Sequence, residues 1–193
     1  MRTLHTAPML RRTRTHHDPT GPSPAVPDRA VPAASDRAVP AASDRAVPAA
    51  PDRVAVSAGA AVADPVPDGA VLVDGDRIVA VGPLADLLSA YPRARVRRWP
   101  GVLGPALVHD GPLPPAPTPR ERVHALFRRG VAAVPAAHLA DPELRAAAAR
   151  NHVAVTADPP ELVVGGRADL AVFTADGTCV ATVVAGRLLH RRT

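Results

Sequence analysis

No lysine occurs anywhere in the 193 residues, so every one of the 23 Lys/Arg positions is arginine. Cysteine is nearly absent too. Cys179 stands alone, which excludes an intrachain disulfide and a cysteine-rich zinc site. Its neighbours Thr178 and Val180 suggest a half-buried strand position with a packing role. Aromatic residues (Phe127, Phe173, Tyr91 and Trp99) make up only 2% of the chain. Ala and Val dominate the 47% hydrophobic content, so large core anchors are scarce. No apolar run approaches the roughly 20 residues needed to span a bilayer. Met1–Arg14 has basic residues but no apolar stretch of the kind that follows them in a secretory signal. The expectation is a soluble, cytoplasmic protein with no membrane partner.

What the chain has in excess is arginine and proline. The net charge of +5 permits attraction to anionic surfaces, although a GC-rich coding bias toward Arg, Ala, Pro and Gly accounts for the composition equally well. Arg11, Arg12 and Arg14 fall in a tail, while Arg97/Arg98 and Arg191/Arg192 read as isolated pairs. No basic stripe interleaved with aromatics is visible, so no nucleic-acid partner is expected. The 24 prolines crowd the N-terminal third and the stretch Pro112–Pro119.

Proline also marks the first boundary. Asp28–Ser35 reads DRAVPAAS, Asp36–Ser43 repeats it unchanged, and Asp44–Pro51 repeats it with a terminal Pro. A proline in every copy removes an amide donor each time, which suits neither helix nor sheet. The unit is also too short to stack as a solenoid. Residues 1–53 are therefore expected to be a disordered Pro/Ala/Arg-rich arm, and residues 54–193 the folded domain.

Within the domain, Ala70–Val73 and Arg77–Val81 flank Asp74-Gly75-Asp76. Two apolar runs about an Asp-Gly turn predict a hairpin, because Gly accepts the positive φ of a tight turn. Leu84, Leu87 and Leu88 share one helical face before Pro92. Arg95–Trp99 and Val102–Val108 read as two strands. Thr118-Pro119-Arg120-Glu121 is a capping box with Pro at the first helical position, and Gly130 ends that helix. Val131–Val134 is a strand, Asp141-Pro142-Glu143 caps a helix over Leu144–Arg150, and Val153–Thr156 is the strand after it. Asp169–Thr174 and Thr178–Val184 form a second hairpin, and Gly186 allows a reversal into Arg187–His190. The fold class is thus mainly β with a short α/β insert. β-Rich pieces at 54–108 and 165–192 bracket the insert at 118–158.

Three segments carry a family resemblance. DGAVLVDGDRIVAVGP (Asp68–Pro83) resembles the opening β-element of amidohydrolases. RRWPGVLGPALV (Arg97–Val108) resembles the strand that leads into their barrel. GGRADLAVFTADGTCVATVVAGRLLHRR (Gly165–Arg192) is similar to their closing segment. The ensemble is most like the composite domain of imidazolonepropionase-like and aminodeoxyfutalosine deaminase-like proteins. The resemblance implies a small β-sandwich built from both chain ends, beside a metal-dependent (β/α)₈ barrel that hydrolyses non-peptide C–N bonds.

The same alignment removes the chemistry. It places His109 at the family's Asn and puts Gly111 and Leu113 where the paired metal histidines stand. Neither residue offers a lone pair to a metal. A (β/α)₈ barrel takes about 250 residues, and Val108–Gly165 has room for one or two βα units, so no complete barrel is expected. His109, His124, His138, His152 and Asp158 are the residues that could rebuild a site, and each is read as a surface or capping residue. Asp169 is read as a carboxylate that accepts backbone amides at a strand start. No catalytic residue, metal ligand or cofactor is assigned.

The function expected is that of a catalytically inactive remnant or interaction module, paired with a second copy or with a barrel-bearing partner. The alternative is an imidazolonepropionase-like hydrolase completed by a partner or dimer.

Overall fold

The computed structural model of the chain describes residues 1–13, 65–158 and 161–192. The eight-residue repeats and the expected start of the domain at Val54 lie outside the described residues. In chain order the strands begin with β1 (Arg2–Thr6), β2 (Met9–Leu10), β3 (Val66–Pro67), β4 (Gly69–Asp74) and β5 (Arg77–Pro83). Helix α1 (Leu84–Ala90) leads to β6 (Arg95–Arg98), β7 (Val102–Pro105) and β8 (Leu107–Val108). The insert holds α2 (Pro119–Phe127), β9 (Val131–Val134), a 3₁₀ turn (Ala136–Leu139), α3 (Pro142–Arg150) and β10 (Ala154–Val155). The chain closes with β11 (Leu170–Phe173), β12 (Cys179–Val184) and β13 (Arg187–Arg191).

Two sheets form the body. One has the order β5-β4-β1-β6 and the other β13-β12-β11-β7-β2-β3. Side chains alternate along each strand, and the alternation assigns faces. Val71 and Val73 of β4 join Leu170 and Val172 of β11 and Ala181 and Val183 of β12 in the core between the sheets. Ala70 and Leu72 of β4 point the other way, onto Leu4 and the Leu87 face of α1. Ala171 and Val184 face outward from the second sheet into a third cluster, built by the insert around Phe127, Leu126 and Leu144. The fold class is as expected: mainly β, a composite sandwich from both chain ends, with no closed barrel among the described residues.

The arm was placed wrongly at its N-terminal end. Residues 1–13 are part of the sandwich, and the boundary expected at 53/54 does not hold for them. β1 pairs antiparallel with β4 over five residues and parallel with β6 over four, so it lies inside its sheet. β2 sits between β7 and β3 in the other. Leu4 and Leu10 are fully buried. The local pattern RTLHT offers a single strong hydrophobe, and only tertiary pairing on both edges makes it a strand.

The single strand expected over Val102–Val108 is also two strands. β7 pairs with β11, while β8 pairs with β9 in a different sheet. Pro105 contributes no amide, and the buried Ala106 is where the chain changes sheets.

The insert is a three-stranded parallel sheet of order β10-β9-β8 with α2 and α3 as crossovers. Both helix starts follow the sequence. Thr118 Oγ1 accepts from the Glu121 amide at 3.2 Å, while the Glu121 carboxylate accepts from the Thr118 amide at 3.1 Å. Asp141 accepts from the Glu143 amide at 2.8 Å.

Candidate functional site

In a parallel sheet, ligands gather at the carboxyl ends of the strands, where loops and helix starts converge. In the insert those ends carry His109-Asp110 after β8, His138 in the turn after β9, and Asp158 after β10. Three of the five sequence candidates therefore reach one end of one sheet. Only one pair meets there. His138 Nε2 donates to Asp110 Oδ1 at 3.2 Å. Asp110 was missed in the sequence, and its only signal is that it directly follows a strand. The ring N–H of His109 instead donates to the Pro112 carbonyl at 3.0 Å. Asp158 accepts from Thr156 Oγ1 at 2.8 Å, and its own amide donates back to the same oxygen. This local turn accounts for Asp158 without a ligand.

The two remaining candidates lie elsewhere. His124, on α2, packs edge-on against Phe127 with centroids 6.4 Å apart. His152 stands at the opposite end of β10 with φ +57°. It accepts from Arg187 Nη1 at 3.2 Å, and its carbonyl accepts from Arg167.

The divalent metal that the resemblance implies does not fit these residues. Leu113, which the sequence resemblance sets at the position of a metal histidine, is 3% exposed and packs with Val123 and Leu126. The carbonyls of Leu113 and Pro114 accept from Arg122 of α2, which fixes the loop with Leu113 inward. Gly111 has no side chain to offer. No three His, Cys, Asp or Glu side chains among the described residues come within reach of one ion, where a catalytic zinc needs about three protein ligands.

Two polar groups, the half-buried Asp169 and the buried His5, do structural work. Asp169 accepts from the Ala185 amide at 2.7 Å and lies 3.4 Å from Arg167 Nε. Burial pushes its carboxyl above the usual range, and the Ala185 amide and Arg167 pull back against that rise. It holds the β12–β13 turn, where Ala185 has φ +48°, in agreement with the strand-start reading. His5, which the sequence did not single out, accepts from Trp99 Nε1–H at 3.1 Å and is buried. Burial and the nearby Arg97 lower its pKa from 6.5 to about 4. Cys179 is buried against Thr182 Oγ1 at 3.3 Å, in keeping with a packing role.

A sandwich shared by both chain ends, with a parallel α/β insert leaving from its middle, defines a composite-domain protein. Residues 69–94, which span β4, β5 and α1, match the family model of the bacterial imidazolonepropionase-like composite domain. The similarity to that composite domain thus lies in the first hairpin of the sandwich and the helix after it.

Among solved structures, Helicobacter pylori aminofutalosine deaminase aligns at 12% identity and a TM-score of 0.35, covering 69% of this chain and 27% of its own. Guanine deaminase of E. coli aligns at 13% identity and a TM-score of 0.41, covering 79% and 34%. Ochratoxinase of A. niger aligns at 14% identity and a TM-score of 0.35, covering 69% and 25%. The chain thus spans about a quarter to a third of the length of these proteins. No curated protein sequence matches the chain.

Proposed function

We propose that this composite domain works without a hydrolytic metal centre of its own, as a structural and interaction module. The observation that carries the reading is Leu113. A core leucine, locked inward by Arg122, stands where the sequence resemblance would put a metal histidine. Metal analysis of the purified full chain tests it. Zinc is expected to be substoichiometric and unaffected by chelation. Stoichiometric zinc, removed by a chelator together with a C–N hydrolase activity, would overturn it.

The interaction half of the proposal rests on the insert. β10 is an edge strand, and Val155 on it is 56% exposed. Unpaired strand edges and exposed apolar side chains favour association. The proposed partner is a second copy or a barrel-bearing chain docking on β10. Light scattering of the purified chain should report a dimer that Val155→Arg dissociates, and a monomer that binds no barrel-bearing chain would remove this half.

One observation favours a second reading. The Asp110–His138 pair sits at the carboxyl end of the parallel sheet, where the enzymes of such folds work. Hydrolysis would then need further ligands supplied by a partner or a second copy. If so, Asp110→Ala and His138→Ala would each abolish an activity seen only in the complex. Unchanged activity in both variants would dismiss this reading.

A further inference from the structure

The arginines that read as isolated pairs along the sequence are not isolated in the fold. Across Tyr91-Pro92-Arg93-Ala94-Arg95-Val96-Arg97-Arg98-Trp99, four cations stand between two aromatic rings. β6 is an edge strand, so this run lies along one rim of its sheet. Arg93, Arg95 and Arg98 are exposed and Arg97 is half-buried. None of the four belongs to an ion pair among the described residues.

The chain ends bring more charge to the same rim. Arg191 of β13 places its guanidinium 5.9 Å from the centre of the Trp99 ring. Arg2 of β1 places its own 5.6 Å from the centre of the Tyr91 ring, steered there by Asp74 at 3.1 Å. An open cleft of about 460 Å³ lies at the start of the run, lined by Tyr91, Arg93 and Arg95 together with Arg2.

The positive excess is localised. The described residues hold eighteen arginines against twelve carboxylates, so the positive surplus of the chain lies on the folded part. The repeats, in which every Arg follows an Asp, are balanced. Self-repulsion among unpaired arginines opposes folding, and a rim that keeps several of them is complementary to a line of negative charge.

We propose that the Tyr91–Trp99 rim is a binding surface for single-stranded nucleic acid. The arginines take successive phosphates and the Tyr91 cleft takes a base. Arg95 and Arg97 lie about 7 Å apart on one face of β6 by the two-residue period of a strand, a row suited to a flexible phosphodiester chain. A four-residue strand is about 13 Å long, too short to follow both backbones of a duplex. An aromatic ring beside such a row, as Tyr91 is at its start, is the usual platform for a base in single-strand recognition, and an acidic peptide has no use for it. The surface is independent of whether the chain hydrolyses anything.

The test is fluorescence anisotropy of the full chain with a labelled single-stranded RNA of about twelve nucleotides and mixed sequence. Binding is expected at about 50 mM salt and should weaken steeply by about 200 mM. Arg93→Ala/Arg95→Ala should weaken binding at least tenfold and reduce the salt slope by about 1.4, since two phosphate contacts are lost. Arg120→Ala/Arg150→Ala removes the same charge from exposed positions on α2 and α3, and should change affinity less than about twofold by comparison. Tyr91→Leu should cost about tenfold and Tyr91→Phe should restore it. Equal losses in the two double variants would show a mere net-charge effect. No binding at low salt, or equal affinity for poly-glutamate or for anionic vesicles, would equally overturn the proposal.

Discussion

An imidazole taken out of water loses the solvation that makes its charged form affordable, and His5 shows this at the scale of one residue. Trp99 can only donate, so its bond to Nδ1 puts the His5 proton on Nε2 and keeps the ring neutral. Unfolded, the ring takes up a proton near pH 6.5, whereas folded it does so only near 4. Between those values the unfolded chain binds the extra proton. Stability is therefore full above about pH 6.5, falls as the pH drops toward 4, and levels off below. The whole increment is about 3 kcal/mol. Urea unfolding at a series of pH values should show this loss. His5→Gln keeps an acceptor for Trp99 and should lack it, so an identical pH profile in the variant would exclude His5 as the source. Asp169 makes a second case at the same scale. Asp169→Ala leaves the Ala185 amide without its acceptor and should destabilise the chain by about 1–3 kcal/mol, measured by denaturant titration. Asp169→Asn keeps an acceptor oxygen and should cost clearly less. Both roles depend on partners more than ten residues away, so neither is visible locally, although the strand-start position of Asp169 was a partial signal.

At the scale of elements, a few close approaches decide how the pieces fit. Gly130 ends α2 with φ +80°, and a Cβ there would lie 2.3 Å from Cζ of Phe173 on β11. The glycine thus serves the helix stop and the contact between insert and sandwich together. Gly130→Ala should cost more than about 2 kcal/mol by thermal or chemical denaturation. A loss near that of an ordinary surface change would mean the Phe173 ring can swing aside. What was legible in the sequence follows the same division. The capping box at Thr118, the Asp141 cap and the Asp-Gly turns are local chemistry, and all six elements they start or join lie where the sequence placed them. β1 was illegible because RTLHT has no strong period, and its two neighbours come from residues 69–98. The division of Val102–Val108 was hidden because both halves are apolar and only their partners differ. The candidate site was half legible. The histidines at strand ends were found, but Asp110 was not, since a lone carboxylate after a short strand resembles any loop residue.

At the scale of the whole molecule, the first ten residues are the least expendable part of a segment that reads as a tail. β1 satisfies the ladder groups of β4 on one side and β6 on the other, and β2 does the same for β7 and β3. Without them two interior strands become edges. The sites vacated by Leu4 and Leu10, both fully buried, become cavities. Each such vacancy costs about 2–5 kcal/mol by analogy with large-to-small core changes, against a total stability of about 5–15 kcal/mol for a domain. Removing residues 1–10 should therefore abolish cooperative thermal unfolding as followed by far-UV circular dichroism. A truncated chain that melts cooperatively at an unchanged midpoint would show that β1 and β2 are ornamental. A loss of folding alone could reflect poor expression or aggregation, so complementation supplies the positive arm. A synthetic peptide of residues 1–13 brings back the strand that β4 and β6 lack, in the manner of strand addition to an open sheet. It should restore the native spectrum in a saturable way, and the same peptide with Leu4 and Leu10 changed to Asp should not. Restoration by both peptides alike would place the effect in non-specific binding instead of in the two buried leucines.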